Sequence, residues 1–386
     1  MIGVIADDLT GAAELGAVGL RLGLRAEIVL GGRPDRTADL VCVDTDSRSC
    51  APAEAARRAA AAAKLLRDFG ARWIYKKVDS VLRGNVIAEV EAVMRELGFN
   101  RALLLPANPA LGRVIRDGQY FVQGKPLHRT EFAKDPEYPR RTAQVLRLLG
   151  APQHYLLRLA NGEFTVPENT LLIGQTDVSA KVQAWARARE DTLLSVGGSE
   201  FFGALLAEEP NGVRPPAVEE FQFGEGRQLF ICGTASKAGQ HLVRSARKAQ
   251  VPVFTLPREL MWGKEFTAGA REVISKRVVQ AFANARRVVL GVGLPPVCDV
   301  SVARRLSGNL VELAVLILAR VELKHIFAEG GATSAELVRR MKWRRLEVRR
   351  EWAPGVATLA VAEKNPLWLT IKPGSYSWPA AWTGAA

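Results

Sequence analysis

The sequence has 386 residues, 48% of them hydrophobic, and a formal net charge of +13. This length is enough for two domains, each with its own core. No run of about 18 apolar residues occurs and no basic segment precedes the short apolar run at the start, so we expect a cytoplasmic protein without a membrane partner. The cysteines are scattered and form no CxxC pair, so neither a zinc site nor a disulfide framework is expected.

The first stretch combines a short apolar run with two adjacent acids. Residues 2–6 are predicted to form a buried strand, and an Ala-rich helix opens at Thr10 and Gly11. Asp7 and Asp8 therefore lie at the carboxyl end of a strand, where ligands bind in open α/β sheets. Two neighbouring acids repel each other unless a metal, a base or a bound hydroxyl offsets their charge. The alternative is that Asp8 or Thr10 only caps the helix.

Strands and helices alternate through the rest of the first half. The strands are predicted at 25–30, 39–44, 73–77, 102–105, 171–174 and 192–196, and the helices at 52–68, from 86 to about 98 and at 200–207. Residues 112–139 are polar and rich in turn signals without a helical period, so we expect a small hairpin around 119–122. This alternation predicts a doubly wound, mostly parallel sheet.

A segment rich in Pro, Gly and Glu, 208–227, is the predicted linker to a second domain. Beyond it, strands are predicted at 228–232, 253–256, 287–291, 325–328, 358–362 and 367–371, with helices to about 249, at 268–285, at 308–320 and to about 341. The fold class is therefore α/β with two domains, 1–207 and 228–386. Each is predicted to have a mostly parallel sheet flanked by helices.

Charged residues follow several strands of the first domain. In a parallel sheet these strand ends converge on one edge. Arginine grips carboxylates in bidentate fashion, and aspartate accepts hydrogen bonds and protons from hydroxyls. The mixture favours a small polyhydroxy carboxylate as ligand, and the alternative is a structural ion-pair network. The residues are Asp7, Asp8, Asp46, Arg48, Lys76, Lys77, Asp79, Arg83 and Arg113.

The second domain contains glycine turns of the kind that bind phosphate. Residues 330–334, Gly-Gly-Ala-Thr-Ser, lie between a predicted strand and helix, and 233–236 repeat the arrangement. Glycine lets the backbone approach an anion, and the helix N-terminus supplies free N–H groups and a positive dipole. No Walker P-loop or G-x-G-x-x-G fingerprint is present, and a plain tight turn is the alternative.

Three motifs together resemble the four-carbon acid sugar kinases. They are Ala-Asp-Asp-Leu-Thr-Gly-Ala at 6–12, Tyr-Lys-Lys-Val-Asp-Ser-Val-Leu-Arg-Gly-Asn at 75–85 and the long stretch at 117–136. Residues 330–334 are similar to that family's Gly-Gly-Glu-Thr-Ser loop, with Ala332 in place of the glutamate. Residues 232–236 and 372–377 also depart from the family pattern, which has Gly-Ser-Cys-Ser and Lys-Ser-Gly-Asn-Phe-Gly there.

The resemblance implies an ATP-dependent, Mg²⁺-assisted kinase that phosphorylates the C4 hydroxyl of a tetronate or 3-oxo-tetronate. It places the acid on the first domain and ATP on the second, with the active site in the interdomain cleft. Asp8 is the expected base with Asp7 beside it, and Lys77 and Arg83 would hold the carboxylate or the γ-phosphate. The other expected substrate contacts are Asp46, Arg48, Asp79, Asn85 and Arg113. The expected nucleotide contacts are Ser236, Gly330, Gly331, Ala332, Thr333 and Gly374.

Other functions stay open on the sequence alone. Asp7 and Asp8 would also suit a metal-dependent phosphohydrolase, and a non-catalytic sensor could keep the sugar-acid site without ATP. The net charge of +13 would suit a nucleic-acid-binding protein. We expect instead that the basic segment 339–350 is a solvated surface and that nucleic acid is not a partner. The metal ligands, the particular acid and any homo-oligomer are left open.

Overall fold

The computed structural model describes residues 1–135, 137–150, 152–160, 165–209, 226–233, 237–294, 299–363, 367–374 and 378. The chain divides into two compact units, Met1–Ala217 and Val218–Ala386. Most of the predicted linker, 210–225, lies outside the described residues, so the predicted domain boundaries stay a prediction.

The first unit is built on a parallel sheet whose strands are short apolar runs. Its order is β2-β3-β1-β4-β11-β5-β10-β9, and every neighbouring pair is parallel. Runs such as Ile2–Ala6 are buried along their whole length, as expected where helices cover both faces of a parallel sheet. The strands of this unit are β1 (Ile2–Ala6), β2 (Ala26–Val29), β3 (Leu40–Asp44), β4 (Ile74–Lys77), β5 (Arg101–Leu105), β6 (Arg113–Arg116), β7 (Gln119–Val122), β8 (Lys125–Pro126), β9 (Leu156–Ala160), β10 (Thr170–Gly174) and β11 (Leu194–Gly197).

Capping residues mark the ends of the helices of the first unit. Asp8 caps α1 by accepting from the N–H of Gly11, and Pro52 is the first residue of α2. Gly98 follows the last residue of α3 and adopts the left-handed conformation. The apolar faces of these helices pack onto the sheet. The helices are α1 (Leu9–Arg21), α2 (Pro52–Asp68), α3 (Val86–Leu97), α4 (Val145–Leu149), α5 (Ser179–Arg187) and α6 (Ser199–Ala207).

The predicted hairpin is present as part of a small antiparallel sheet. Strands β6, β7 and β8 pair in that order. Short 3₁₀ helices follow at Leu127–Arg129 and Glu131–Lys134. The absence of a helical period in this region does not exclude these short turns, and Thr130 caps the second of them by accepting from the N–H of Phe132.

The second unit has a mixed sheet in the order β13-β14-β12-β15-β18-β17-β16. The pairs from β13 to β18 are parallel, and β17 pairs antiparallel with both β18 and β16. Its strands are β12 (Gln228–Cys232), β13 (Val253–Thr255), β14 (Arg287–Gly291), β15 (His325–Glu329), β16 (Arg345–Ala353), β17 (Val356–Val361) and β18 (Trp368–Lys372). Its helices are α7 (Lys237–Lys248), α8 (Ala268–Ala281), α9 (Val300–Leu318) and α10 (Gly331–Arg340).

The predicted fold class is confirmed, and several details are corrected. Helix α9 begins eight residues before the predicted residue 308, because Asp299 caps it by accepting from the N–H groups of Ser301 and Val302. The basic segment 339–350 is not only a solvated face. Its second half belongs to β16, in which Leu346 and Val348 are buried. No helix within the described ranges is long and apolar enough to span a membrane.

Candidate active site

The carboxyl ends of β1, β3 and β4 lie side by side and bring the predicted charged residues to one edge of the sheet. Ala6 is the register partner of Asp44 in β3, and β4 pairs along the other side of β1. The turn after β3 is tied to the turn after β1, because the N–H groups of Ser47 and Arg48 both donate to the carbonyl of Asp7. The predicted convergence of these strand ends is therefore present.

Arg48 is the centre of this charged cluster. Its Nε lies 2.7 Å from Asp7 Oδ2 and its Nη2 lies 2.9 Å from Asp7 Oδ1, so the pair is bidentate. Its Nη1 also lies 2.7 Å from Asp8 Oδ2. Burial raises the pKa of Asp7, but the Arg48 guanidinium outweighs this and holds that pKa below its usual value. Asp7 is therefore fixed as an anion with both oxygens in use.

Asp8 is the cap of α1, which was the structural alternative considered for it. Its Oδ1 accepts from the N–H of Gly11 at 2.8 Å, which is the capping bond, and its Oδ2 accepts from Thr10 Oγ1 at 2.6 Å. The side chain of Asp8 is 20% exposed, against 5% for that of Asp7. Of the two adjacent acids, Asp8 is therefore the one that a ligand can reach.

A second cluster joins the first through Asp79, just beyond β4. Arg83 donates from Nε to Asp79 Oδ2 at 3.0 Å and from Nη2 to Asp79 Oδ1 at 2.8 Å, and Arg48 Nη1 lies 3.9 Å from Asp79 Oδ1. Burial works against the charge of Asp79, yet Arg83 and Arg48 hold the pKa of this carboxyl well below its usual range. The two guanidiniums thus share one buried anion.

Lys77 is buried at the end of β4 and faces an acid that the sequence analysis missed. Its Nζ donates to the carbonyl of Val78 at 2.9 Å and lies 3.4 Å from Glu14 Oε2. Burial lowers the pKa of Lys77, but Glu14 and the nearby aspartates raise it overall. Ser199 at the start of α6 donates to Glu14 Oε1 at 2.8 Å. Glu14 lies on the same helix as Asp8, and nothing in its spacing singled it out.

Beneath the cluster lies a buried network that the sequence analysis also missed. Glu89 on α3 lies 2.7 Å from Lys76 Nζ and accepts from Ser47 Oγ at 2.8 Å. Burial raises the pKa of Glu89, because the surroundings disfavour its charge. The network ties α3 both to the turn that carries Arg48 and to the end of β4. The feature of the sequence that could have indicated this network is Glu89, an acid among the apolar residues of α3.

The remaining predicted substrate contacts lie around the cluster with other partners. Asn85 donates to the carbonyl of Cys50 at 2.9 Å, so its amide shapes the turn after β3. The Arg113 guanidinium contacts Ser80 Oγ and lies 6.0 Å from the ring centre of Phe132. Asp46 adopts a left-handed φ of 44°, and its N–H donates to Asp44. Burial raises the pKa of Asp44 well above its usual range.

The predicted nucleotide turn of the second unit is built at the end of β15. Gly330 has a φ of 101°, a conformation that favours glycine, and α10 begins at the next residue. The N–H of Gly330 donates to the carbonyl of Lys372 at 2.9 Å, which ties the turn to the end of β18. The hydroxyl of Thr333 is buried and lies 2.9 Å from Ser307 Oγ. Gly331 and Ala332 form the first turn of α10, whose N–H groups could bind an anion.

A buried acid–base pair underlies this turn. Cys232, Glu329 and Lys372 are register partners across β12, β15 and β18. Glu329 Oε2 lies 3.6 Å from Lys372 Nζ and accepts from Trp378 Nε1 at 2.7 Å. Burial raises the pKa of Glu329 and lowers that of Lys372, so desolvation works against charge on both partners. Gly374 follows Lys372 in the next turn, and Ser236 lies outside the described residues.

The sequence did not predict which residues would bind a metal ion. The described part of the chain contains no group of three or more His, Cys, Asp or Glu residues placed to hold one. Mg²⁺ in phosphoryl-transfer enzymes is commonly held by one or two carboxylates together with the phosphates of the substrate. Asp8, which is partly exposed, fits a ligand set of that kind.

Two family models match the chain, one in each unit. A family model described as a sugar-binding N-terminal domain matches residues 2–204, and one described as a nucleotide-binding C-terminal domain matches residues 229–376. The first match alone covers more than half of the chain. The chain belongs to this family, which confirms the resemblance on which the sequence analysis relied.

Kinases of four-carbon acids are among the relatives. A 3-oxo-tetronate kinase from Methylobacterium radiotolerans is 28% identical over 97% of this chain and 96% of its own length. A D-threonate kinase from Salmonella typhimurium is 39% identical over 38% of this chain and 35% of its own length. A D-erythronate kinase from Heliobacterium modesticaldum is 32% identical over 48% of this chain and 42% of its own length.

Solved structures share the fold at low sequence identity. A Haemophilus influenzae protein of family DUF1537 superposes with a TM-score of 0.75 and 21% identity, covering 99% of both chains. A Salmonella typhimurium protein superposes with a TM-score of 0.81 and 19% identity, covering 99% of this chain and 97% of that one. At such identities the likeness shows the fold alone.

Proposed function

We propose that the protein is an ATP-dependent kinase that phosphorylates the C4 hydroxyl of a four-carbon sugar acid, a tetronate or 3-oxo-tetronate. The observation that supports this most directly is the cluster of Asp7, Asp8, Arg48, Asp79 and Arg83 in a domain of the sugar-binding class. The nucleotide-binding domain in the same chain and the kinase relatives support phosphoryl transfer from ATP. Such transfer depends mainly on positioning and on neutralising charge.

In this proposal Asp8 accepts the proton of the sugar hydroxyl. It is the more exposed of the two adjacent acids, and its side chain is oriented by Thr10, Gly11 and Arg48. Asp7 has a different task, because both its oxygens are held by Arg48. It fixes the guanidinium that in turn orients Asp8.

Lys77 and Arg83 are the proposed anion-binding side chains. Arg83 has a forked guanidinium suited to a carboxylate. Lys77 is a point charge at the end of the neighbouring β4, beside Glu14. Together they would neutralise the carboxylate of the acid or the γ-phosphate of ATP. Asp79 holds Arg83 in place, while Asp46, Asn85 and Arg113 surround the same cluster.

The turns after β15 and β18 are proposed to bind the nucleotide phosphates. Gly330 at positive φ and Gly331 carry no Cβ, so a phosphate can approach the backbone, and the N-terminus of α10 supplies free N–H groups. Gly331, Ala332 and Thr333 form the first turn of that helix, and Gly374 lies in the turn after β18. ATP would supply the transferred phosphoryl group, with Mg²⁺ bound to its phosphates. The protein ligands of that ion stay unassigned.

Several expectations from the sequence stay predictions. They are the interdomain cleft, the domain boundaries at 207 and 228, the cytoplasmic location, the contact of Ser236 with the nucleotide and the exclusion of nucleic acid. The small-molecule partners, a sugar acid and ATP, follow from the proposed function. A homo-oligomer is neither required nor excluded by it.

An ADP-release screen tests the proposal. The purified protein with ATP and Mg²⁺ is offered D-threonate, D-erythronate, their enantiomers and 3-oxo-tetronates. We expect release of ADP that depends on one of these acids. Equal phosphate release with and without every acid would instead favour a phosphohydrolase. Acid binding without turnover would favour the non-catalytic sensor.

A further inference from the structure

Arg83 is held by two acids from different parts of the chain. Asp79 takes its Nε and Nη2 in a fork, as described above. Asp135, which follows the 3₁₀ helix Glu131–Lys134, accepts from the remaining nitrogen, Nη1, at 2.9 Å. The ring of Phe132 lies 5.7 Å from the guanidinium carbon. A carboxylate ligand would accept hydrogen bonds from the outer edge of the Arg83 guanidinium, which is formed by Nη1 and Nη2. Asp135 already accepts from Nη1.

Backbone N–H groups of the following residues hold the side chain of Asp135 in this position. Its Oδ1 accepts from the N–H groups of Tyr138 at 2.8 Å and Glu137 at 3.1 Å, which leaves Oδ2 for Arg83. The segment that follows is fastened beside the cluster, since the hydroxyl of Tyr138 donates to the carbonyl of Arg48. Arg140 Nη1 also donates to the carbonyl of Leu82 at 3.0 Å. The side chain of Asp135 is only 16% exposed.

Asp135 is one of several carboxylates that are paired with the two arginines of the cluster. Among the described residues, Arg48 and Arg83 form ion pairs with four carboxylates, those of Asp7, Asp8, Asp79 and Asp135. Lys76 and Lys77 add positive charge beside Asp7, and Arg140 adds it beside Asp79 and Asp135. Asp7 and Asp79 each hold two nitrogens of an arginine, whereas Asp8 and Asp135 each hold one. Of the two acids paired with Arg83, Asp135 is thus the one that an anionic ligand would displace at the lower cost.

We propose that Asp135 is an internal counter-ion of Arg83 that occupies the place of the substrate carboxylate. When the acid binds, its carboxylate replaces Asp135 at Nη1 of Arg83. Asp135 therefore tunes affinity for acids over neutral polyols of the same length. It acts through Arg83 and is a positioning residue. This inference rests on the proposed function only in taking the ligand to be a sugar acid held by Arg83.

The substitution Asp135→Asn separates this role from a structural one. Asparagine keeps an Oδ1 to accept from residues 137 and 138, while its amide group no longer attracts Arg83. We expect the KM and the Kd for D-threonate or D-erythronate to fall about tenfold, the scale of one charge-assisted hydrogen bond. The kcat should stay within about twofold, because the interaction with the acid is present before and during transfer.

A matched control and a neutral ligand complete the design. Asp68→Asn removes a carboxylate from an exposed ion pair with Lys64, so it makes the same change in net charge away from the cluster. It should leave the KM unchanged. Erythritol, which lacks the carboxylate, should bind the wild type and Asp135→Asn equally. Equal gains for erythritol and the acid, or an unchanged or raised KM for the acid, would overturn the inference.

A folding control and a binding measurement complete the experiment. Thermal unfolding establishes that Asp135→Asn is folded, and Asp135→Ser, which also retains a capping oxygen, replaces it if it is not. If the wild type phosphorylates no acid, the proposed function fails. Calorimetric titration of D-threonate and D-erythronate into both proteins then decides the role of Asp135: tighter binding by the variant supports it, and equal or weaker binding refutes it.

Discussion

Two adjacent acids, Asp7 and Asp8, should respond differently to the same substitution. Asp7→Asn removes the charge from a buried carboxylate whose two oxygens are both bound to Arg48. Asp8→Asn keeps the helix cap, since asparagine caps helices as well as aspartate does. We therefore expect the first change to reduce mainly stability and the second to reduce mainly turnover.

The structure sets the expected magnitudes. Removing one partner of a buried ion pair costs about 3–5 kcal/mol, and we expect the lower end for Asp7→Asn because Arg48 keeps its contact with Asp8. Asp8→Asn leaves the bidentate pair of Arg48 with Asp7 intact, so we expect a smaller loss, about 1.5 kcal/mol, the scale of one hydrogen bond to a charged group. If Asp8 is the base, kcat should fall by about 10²–10⁴ in Asp8→Asn.

Urea unfolding and ADP release measure the two effects separately. Asp8→Asn should unfold nearer to the wild-type urea midpoint than Asp7→Asn does and have little activity. Asp7→Asn should unfold at a clearly lower concentration. Near-normal turnover in Asp8→Asn would refute its assignment as the base. An unchanged midpoint in Asp7→Asn would refute the claim that the bidentate pair with Arg48 stabilises the site.

Three further predictions concern the nucleotide turn, the pH dependence of stability and the basic segment. Gly331→Val, which adds a branched side chain in the first turn of α10, should weaken ATP binding sharply while calorimetry shows unchanged sugar-acid binding, and equal loss of both ligands would contradict separate sites. The pKa values of Asp7 and Asp79 are lowered from 3.8, so their stabilisation is present above that pH and is lost as the pH falls through the folded values. The urea midpoint should therefore drop steeply below about pH 4, and less steeply in Asp7→Asn. The basic segment 339–350 should bind no oligonucleotide at about 0.15 M salt, and a tight complex with a steep salt dependence would contradict this.

Local pattern was enough to predict most strands and the position of the charged cluster, although β9 and β16 were missed. Apolar runs such as 2–6 and 287–291 are short and bounded by turn residues, so the pattern predicts both the strand and the residues that follow its end. Pro52 marked the start of α2 without error. Once the parallel strands were placed, Asp7, Arg48 and Asp79 had to meet at one edge.

What escaped prediction depends on contacts between distant residues. Strand β16 carries arginines that made its segment look solvated, and its buried face becomes evident only when Leu346 and Val348 pair with β17. The partnership of Glu89 with Lys76, and that of Asp135 with Arg83, joins residues 13 and 52 positions apart. No periodicity links such residues, because the fold alone brings them together.

The most direct test of the central claim is to follow where the γ-phosphate goes. With ATP, Mg²⁺ and the acid that gives the fastest ADP release, phosphorus NMR of the products should show one sugar-acid phosphate for each ADP. Proton–phosphorus coupling should place the phosphoryl group on C4. Free inorganic phosphate in place of the phosphorylated acid, or a phosphoryl group on another carbon, would contradict the proposed function.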